Sequence, residues 1–356
     1  MSDAHSIDVL VIGLGPAGAS AAAAAAARGA RVLAVDRKRV AGHPVQCAEF
    51  VPALIGQQVP ALDQHRQQRI RAMTTFVEDE APHLREQFSG VMIDRRAFDA
   101  ALVARAEQAG TKTWFGLSLR TIYADGTALF SDGSRLSAAV IIGADGPRSA
   151  VGAAVGIENE VLAETRQMAV PLLVPFEETD IFLSHKLPGG YAWLFPKGEV
   201  ANLGLGGDPH WRTHFKPLLD DLHDQLAAQG RVGRDVLGHT GGAIPSGGML
   251  EPVARIGPTH VLLAGDAAGL TNPITGAGIM SAVISGEMAG EAAAAIAQDA
   301  PSAAEAYGED LADMFEASLA RAVARRETLM RVHATQKPGP DDLRRAWIAF
   351  PEYWTA

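Results

Sequence analysis

Ile7-Asp8-Val9-Leu10-Val11-Ile12-Gly13-Leu14-Gly15-Pro16-Ala17-Gly18 is the stretch whose reading decides the fold of this chain. The apolar run reads as a buried strand, the glycines as a turn, and Ala19 to Ala27 as a tightly packed helix ending at Gly29. Arg31 to Asp36 then reads as a second strand parallel to the first, which completes a strand, helix, strand unit. At such a turn, glycine lets backbone approach a pyrophosphate, and the helix that starts there aims its free N–H groups at the phosphates. Gly13, Gly15, Pro16, Ala17 and Gly18 form the expected contact. Asp36, 18 residues after Gly18, stands near the spacing of a carboxylate that grips an adenosine ribose hydroxyl, with Arg37 beside it.

Two further glycine clusters lie far along the chain: Gly143-Ala144-Asp145-Gly146, and Gly265-Asp266 running through Asn272-Pro273 to Gly276-Ala277-Gly278-Ile279. Three distant pieces of backbone in this order ask for one long cofactor, and together they describe an FAD site. A strand ending at Asp266 can hydrogen-bond a sugar-alcohol chain. Gly276 and Gly278 let a helix N-terminus face the pyrimidine end of a reduced flavin, where negative charge develops. Asp94-Arg95-Arg96-Ala97-Phe98-Asp99 opens a helix with Asp94 as N-cap and Arg95 free to reach phosphate; taken alone, that segment reads rather as a solvated charge run.

The 356 residues exceed what one hydrophobic core usually holds, so a large domain with a second, smaller one is expected. Hydrophobic residues at 47% and charged ones at 20% are an ordinary globular balance. A net charge of −10 disfavours a nucleic-acid partner, since phosphate contacts need clustered Lys and Arg. Cys47 is the only cysteine, which excludes a redox-active cysteine pair and suits a reducing cytoplasm. The first strand starts too early for a signal peptide to precede it, and no apolar run reaches about 18 residues without a breaker or charge. The chain is therefore expected to be cytoplasmic, with at most peripheral membrane attachment.

The expected class is α/β, α+β overall: a Rossmann-like FAD-binding domain, a discontinuous antiparallel-sheet substrate domain, and a C-terminal helical segment. The FAD domain takes 1–69, 93–155 and 257–300, the substrate domain 70–92 and 156–256, and the helical segment 301–356. The stretch from Ala41 to Gly56 reads as a loop, Ala97 to Ala109 as a helix, Ala138 to Ile142 as a short buried strand, and Gly278 to Ala297 as a long small-residue helix. The region from Gly156 to Ile256 reads as strand-rich and aromatic.

Over most of its length the chain resembles the FAD-dependent geranylgeranyl reductase family, within the larger p-hydroxybenzoate hydroxylase-like flavoprotein fold. The three glycine clusters and Arg95 with Phe98-Asp99 match the larger fold. Leu187-Pro188-Gly189-Gly190-Tyr191-Ala192-Trp193-Leu194-Phe195-Pro196 is similar to the P-x-x-Y-x-W-x-F-P segment of the reductases. The resemblance implies that Tyr191, Trp193 and Phe195 wall a pocket beside the flavin. Alternate strand residues share a face, so three rings would meet an apolar ligand there, although a sheet-core aromatic stripe has the same periodicity. The Val45-Gln46-Cys47-Ala48-Glu49 loop resembles the Cys-Gly-Glu of several members, archaeal ones notably, with Ala48 in place of the glycine. That implies a position for Cys47 near the flavin.

The resemblance implies reduction of isoprenoid double bonds by hydride from reduced FAD, with a proton reaching the adjacent carbon. Tyr191, Glu49, His185 and Cys47 are the candidate donors by chemistry, and His185 is also a candidate pocket residue. An FAD-dependent monooxygenase and a prenyl-binding carrier are the competing readings. No second Gly-x-Gly-x-x-Gly follows a strand, because Pro209 stands where the third glycine after Gly204 and Gly206 should be. The reductant is thus expected from outside: NADPH docking transiently, ferredoxin, or another donor. The chain looks short for this family after Pro301, which leaves closure of the pocket as an open expectation.

Overall fold

A computed structural model describes residues 7–52 and 61–355 of the chain, so positions 53–56 of the expected Ala41 to Gly56 loop lie outside the described residues. Strand Ile7–Ile12 lies inside a six-stranded sheet, between strands Ala138–Gly143 and Val32–Asp36. Thr259–Leu263 and Lys112–Phe115 extend the parallel array on either side, and Val253–Ile256 closes one edge antiparallel. Val9, Leu10 and Val11 are fully buried, as residues of a strand covered on both faces must be.

The helix after the first strand, Pro16–Ala27, carries proline at its first turn, where a missing N–H costs nothing. It packs against the long helix Ile279–Ala297 at backbone distance. A Cβ on Gly286 would lie 2.1 Å from the Ala17 carbonyl oxygen, and one on Gly290 would lie 2.2 Å from that of Ala21. This contact explains why both helices are written in Ala and Gly. Ile279–Ala297 is long and apolar enough to cross a membrane, yet two-thirds of it, 67%, is buried inside the protein, which makes it a core helix.

The second, eight-stranded sheet runs Gly238–Thr240, Leu162–Pro171, Val200–Gly207, Tyr191–Lys197, Glu178–Leu183, Ala72–Val77, His83–Arg85, with Ala243–Pro245 also paired to Leu162–Pro171. It is antiparallel except where Glu178–Leu183 meets Ala72–Val77 in parallel. The stretch read as strand-rich also holds a 17-residue helix, Arg212–Ala228. That helix covers one face of the sheet through Phe215, Leu219 and Leu226, which pack with Leu194 and Leu203. The C-terminal helices Ala317–Thr335 and Pro340–Arg345 and the residues after them cover the opposite face: Leu329, Leu343, Trp347 and Phe350 pack with Trp193 and Phe195. The short segment after Pro301 is thus divided: Ala304, Tyr307, Leu311 and Leu319 join the core of the first sheet, and the part from Leu329 on is a wall of the substrate half.

Candidate active site

The three glycine clusters converge because the parallel strands before them all end on the same edge of the first sheet. Gly13, at φ 97°, admits Ala144 so closely that a Cβ would sit 2.3 Å from its carbonyl oxygen; a Cβ on Gly18 would sit 1.8 Å from that of Gly13. Gly15 is different: nothing lies within 4 Å of where its Cβ would be. It caps the helix Pro16–Ala27, whose first N–H groups face that open space. Asp36 holds the turn by accepting the Leu14 N–H at 2.7 Å, and its other oxygen accepts the Lys38 N–H at 2.7 Å.

In the second cluster, the Asp145 carboxylate accepts the Ser149 hydroxyl at 2.5 Å and the Ala150 N–H at 2.7 Å, while burial pushes its pKa up. In the third, Asp266 is partly buried and its pKa is raised by loss of solvent, a rise opposed by a 2.6 Å hydrogen bond from Thr271 and by the Arg95 charge. Asn272 accepts the N–H groups of Ile274 and Thr275 at 3.0 Å each, which folds Pro273 to Gly278 into the turn before Ile279–Ala297.

One cavity of about 830 Å³ joins all three clusters to the aromatic strand, near the top of the usual 300–1,000 Å³ range for small-molecule sites. Its lining includes Gly13, Gly15, Pro16, Ala17, Asp36, Arg37, Cys47, Glu49, Arg95, Asp145, Asp266, Pro273, Gly276, Ala277, Gly278 and Ile279, together with Tyr191, Trp193 and Phe195. Gly18 and Gly265 are not lining residues. They act behind the wall, where a Cβ would strike backbone at Gly18 and the Ala17 and Ala282 side chains at Gly265. His185 is also outside the lining: its Nδ1 lies 2.7 Å from Glu78, and that pairing turns it away from the pocket role expected of it.

Arg95 does not stand free, as its place in a charge run suggested. Its Nε and Nη2 donate to the two oxygens of Asp99 at 2.9 and 3.0 Å, and only Nη1 is outside this fork. Burial works to lower its pKa, but attraction to Asp99 and then to Cys47 raises it. Asp94 caps the helix as expected, accepting the Ala97 N–H at 3.0 Å. Glu49 sits at φ 67°, a strained angle for a residue with a Cβ, and its carboxylate is filled: Lys197 Nζ at 2.6 Å, Asn202 Nδ2 at 3.0 Å and the Arg95 N–H at 3.1 Å. The Glu49 N–H in turn donates to Cys47 Sγ at 3.2 Å.

Tyr191, Trp193 and Phe195 share the face turned to the C-terminal segment, with Tyr191–Trp193 ring centres 5.6 Å apart and Trp193–Phe195 centres 6.1 Å apart. They are both core and cavity wall, so the two readings of the stripe are one arrangement. Trp193 fits because Gly204, opposite it, lacks a Cβ that would come within 2.4 Å of the indole. The indole N–H donates to Gln167 at 3.0 Å, and the Gln167 amide donates to the Cys47 carbonyl at 3.1 Å. The Tyr191 hydroxyl donates to the Thr275 carbonyl at 2.6 Å, and loss of solvent, with the nearby Cys47, pushes its pKa upward. The aromatic wall is thereby tied to the third glycine cluster.

Sequence reasoning missed Gln167, Lys197, Asn202, Phe50 and Trp347. Gln167 and Asn202 are polar residues at buried strand positions, which is a legible signal once the strands are known. Trp347, whose ring lies 4.7 Å from that of Tyr191, had no motif to mark it.

The geometry suits a long dinucleotide. Two helix N-termini and the open Cβ position of Gly15 offer room and donors for phosphates, and Asp36 and Asp266 offer carboxylates toward sugar hydroxyls at separate ends. No family model matches the chain. It is 31% identical over 329 residues to the digeranylgeranylglycerophospholipid reductase of Methanosarcina acetivorans, covering 87% of this chain and 79% of the relative. It is 33% identical over 338 residues to digeranylgeranylglycerophospholipid reductase 1 of Methanopyrus kandleri, covering 87% and 88%. Among solved structures, a geranylgeranyl bacteriochlorophyll reductase-like protein of Thermoplasma acidophilum superposes with TM-score 0.83 at 25% identity, over 95% of this chain and 89% of that one. A probable FAD-dependent monooxygenase from Pseudomonas aeruginosa shares the fold with TM-score 0.72 at 17% identity, over 96% and 99%. Sequence, fold and the joined cavity agree: the chain belongs to the FAD-dependent geranylgeranyl reductase family, alongside the digeranylgeranylglycerophospholipid reductases.

Proposed function

We propose that this protein binds FAD along the three glycine clusters and reduces carbon-carbon double bonds in the isoprenoid chain of a prenyl lipid. The observation that carries this reading is the single cavity that runs from the glycine turn to the aromatic wall. The names of its relatives, digeranylgeranylglycerophospholipid reductases, support a prenyl-lipid substrate. When bound and reduced, FAD supplies the hydride; the protein supplies orientation, dryness and a proton.

The residues divide that work. Gly13 and Gly15 with the helix N-terminus at Pro16 would hold the pyrophosphate, Asp36 and Arg37 the adenosine end, and Asp145, Asp266 and the Pro273 to Ile279 turn the flavin end. Tyr191, Trp193, Phe195 and Trp347 bound an apolar space from which the C-terminal segment excludes water. Tyr191 keeps its proton, since burial opposes the phenolate and the hydroxyl is committed to Thr275. Glu49 has both oxygens occupied by donors. Of the catalytic candidates in the cavity, Tyr191 and Glu49 are thus committed to partners, while the Cys47 sulfur only accepts, from the Glu49 N–H, so Cys47 is the group we assign to proton delivery.

An external reductant, NADPH, ferredoxin or another donor, completes the cycle. The protein would work in the cytoplasm and meet its lipid by peripheral contact with a membrane. The test is anaerobic: FAD-loaded protein reduced with dithionite and given a geranylgeranyl lipid should yield product heavier by two hydrogens per reduced bond. Absence of saturation with every prenyl chain offered, or oxygen consumption stimulated by an aromatic compound instead, would sink this reading.

A further inference from the structure

Arg326, on the helix Ala317–Thr335, is a buried cation with no counterpart in the mechanism above. It is 6% exposed, and none of its guanidinium nitrogens makes a hydrogen bond or ion pair among the described residues. Nε and Nη2 are sealed from solvent without a partner, which leaves Nη1 as the open nitrogen. Burial lowers its pKa; Asp208 and Glu327 oppose this from beyond ion-pair distance. Asp208 is already engaged, accepting the N–H of His210 at 2.9 Å and facing its ring Nδ1 at 2.7 Å. A guanidinium desolvated and left unpaired is a costly arrangement that an anion would relieve.

Its position says where that anion would lie. A Cβ on Gly189 would come within 3.0 Å of Arg326 Nη2, so the guanidinium lies one glycine behind the wall of the cavity, which Gly189 and Gly190 line. Gly189 adopts φ 66°, a left-handed angle that presents no side chain between the cation and the cavity. Along the same helix face, His333 holds a second sealed nitrogen, Nε2, without a partner. The carboxylate of Glu78, partner of the His185 that acts on His333, is occupied by His185 and Ser184.

We propose that Arg326 receives a phosphate group at the Gly189–Gly190 end of the cavity, supplied by the head of the prenyl substrate. The choice of the head group rests on the prenyl-lipid reading above; the phosphate chemistry does not, because an inorganic phosphate would satisfy the same guanidinium. Nη1 is the donor open to such a phosphate, and the guanidinium charge behind it is worth most where water is excluded.

The experiment titrates FAD-loaded, oxidised protein with geranylgeranyl diphosphate and with geranylgeraniol, following the flavin absorbance, and measures melting temperature with and without inorganic phosphate. Arg326→Met should fold, because replacing an unpaired buried charge by an apolar chain of similar length is neutral or stabilising. Arg326→Lys keeps the charge without the fork. The wild type should favour the diphosphate over the alcohol by roughly 10- to 100-fold. Arg326→Met should lose that preference with its affinity for the alcohol unchanged, and Arg326→Lys should keep part of it. A phosphate-induced rise in melting temperature that Arg326→Met abolishes, without any lipid preference, would assign the site to free phosphate. The same result with neither lipid binding would end the prenyl reading and leave the phosphate site standing. Equal behaviour of wild type and Arg326→Met in both titrations would overturn the proposal.

Discussion

The two halves of the cavity are built by different means. Around the glycine clusters, shape comes from backbone meeting backbone: Gly13 on Ala144, Gly18 on Gly13, Gly286 and Gly290 on the helix Pro16–Ala27. Around the aromatic strand, shape comes from side chains drawn from far apart, with Phe50, Phe88, Tyr191, Trp193, Phe195 and Trp347 all lining one space. Backbone contacts tolerate no substituent and leave a local, readable motif, whereas side-chain contacts are assembled by the fold and leave only composition. The first half should therefore break sharply under single substitutions, and the second should yield by degrees.

The sharpest break is a pair of glycines three residues apart. Gly18→Ala drives a Cβ to 1.8 Å from a carbonyl oxygen, so the strand and helix must separate; we expect a loss of about 3 kcal/mol of stability and protein that purifies without flavin. Gly15→Ala meets nothing within 4 Å, so the fold should keep its melting temperature while FAD affinity falls, because the new methyl occupies the approach to the phosphates. Equilibrium dialysis with FAD alongside thermal melts separates the two outcomes. Equal stability loss in both variants would mean that Gly15 is also a packing glycine.

This contrast also explains what the sequence disclosed. Ile7 to Asp36 could be read because strand, turn, helix and carboxylate are contiguous and each obeys a local rule. Tyr191, Trp193 and Phe195 could be placed on one face from their period of two, but not opposite Trp347, since the 155 positions between Tyr191 and Trp347 carry no record of that contact. Arg95 and His185 looked available because their partners are set by geometry: Asp99 one helical turn away, and Glu78 across a strand junction. The helix Arg212–Ala228 was hidden inside a strand-rich stretch, with Pro217 within it to weaken the helical pattern.

Glu49 lies where the two halves meet, and its substitution asks which half it serves. Its carboxylate joins Lys197 and Asn202, on strands of the second sheet, to the start of the helix Arg95–Gln108. Glu49→Gln removes the charge that Lys197 needs, at a cost of about 2 kcal/mol. Stability and flavin retention should fall together, while turnover per bound flavin stays near that of the wild type. A variant with unchanged melting temperature and collapsed turnover per flavin would instead make Glu49 the proton donor.

The smallest effect belongs to Glu78 and His185, outside the cavity. Burial acts to raise the Glu78 pKa, but the N–H and ring of His185 and the Ser184 hydroxyl outweigh it and hold the carboxyl below its ordinary value. A carboxylate whose pKa is lower in the folded chain binds fewer protons there than when unfolded. Its stabilisation is thus fully present above the ordinary carboxylate range and is lost as pH falls through the folded value. The stability gap between wild type and Glu78→Gln should be constant near neutrality, below about 1 kcal/mol for so partly exposed a pair, and should close in acid. Urea unfolding across a pH series reads it directly. His185→Gln should shrink the same gap and leave turnover untouched; if turnover falls instead, His185 reaches the substrate in the working enzyme, and the boundary between cavity and supporting shell must be redrawn to include it.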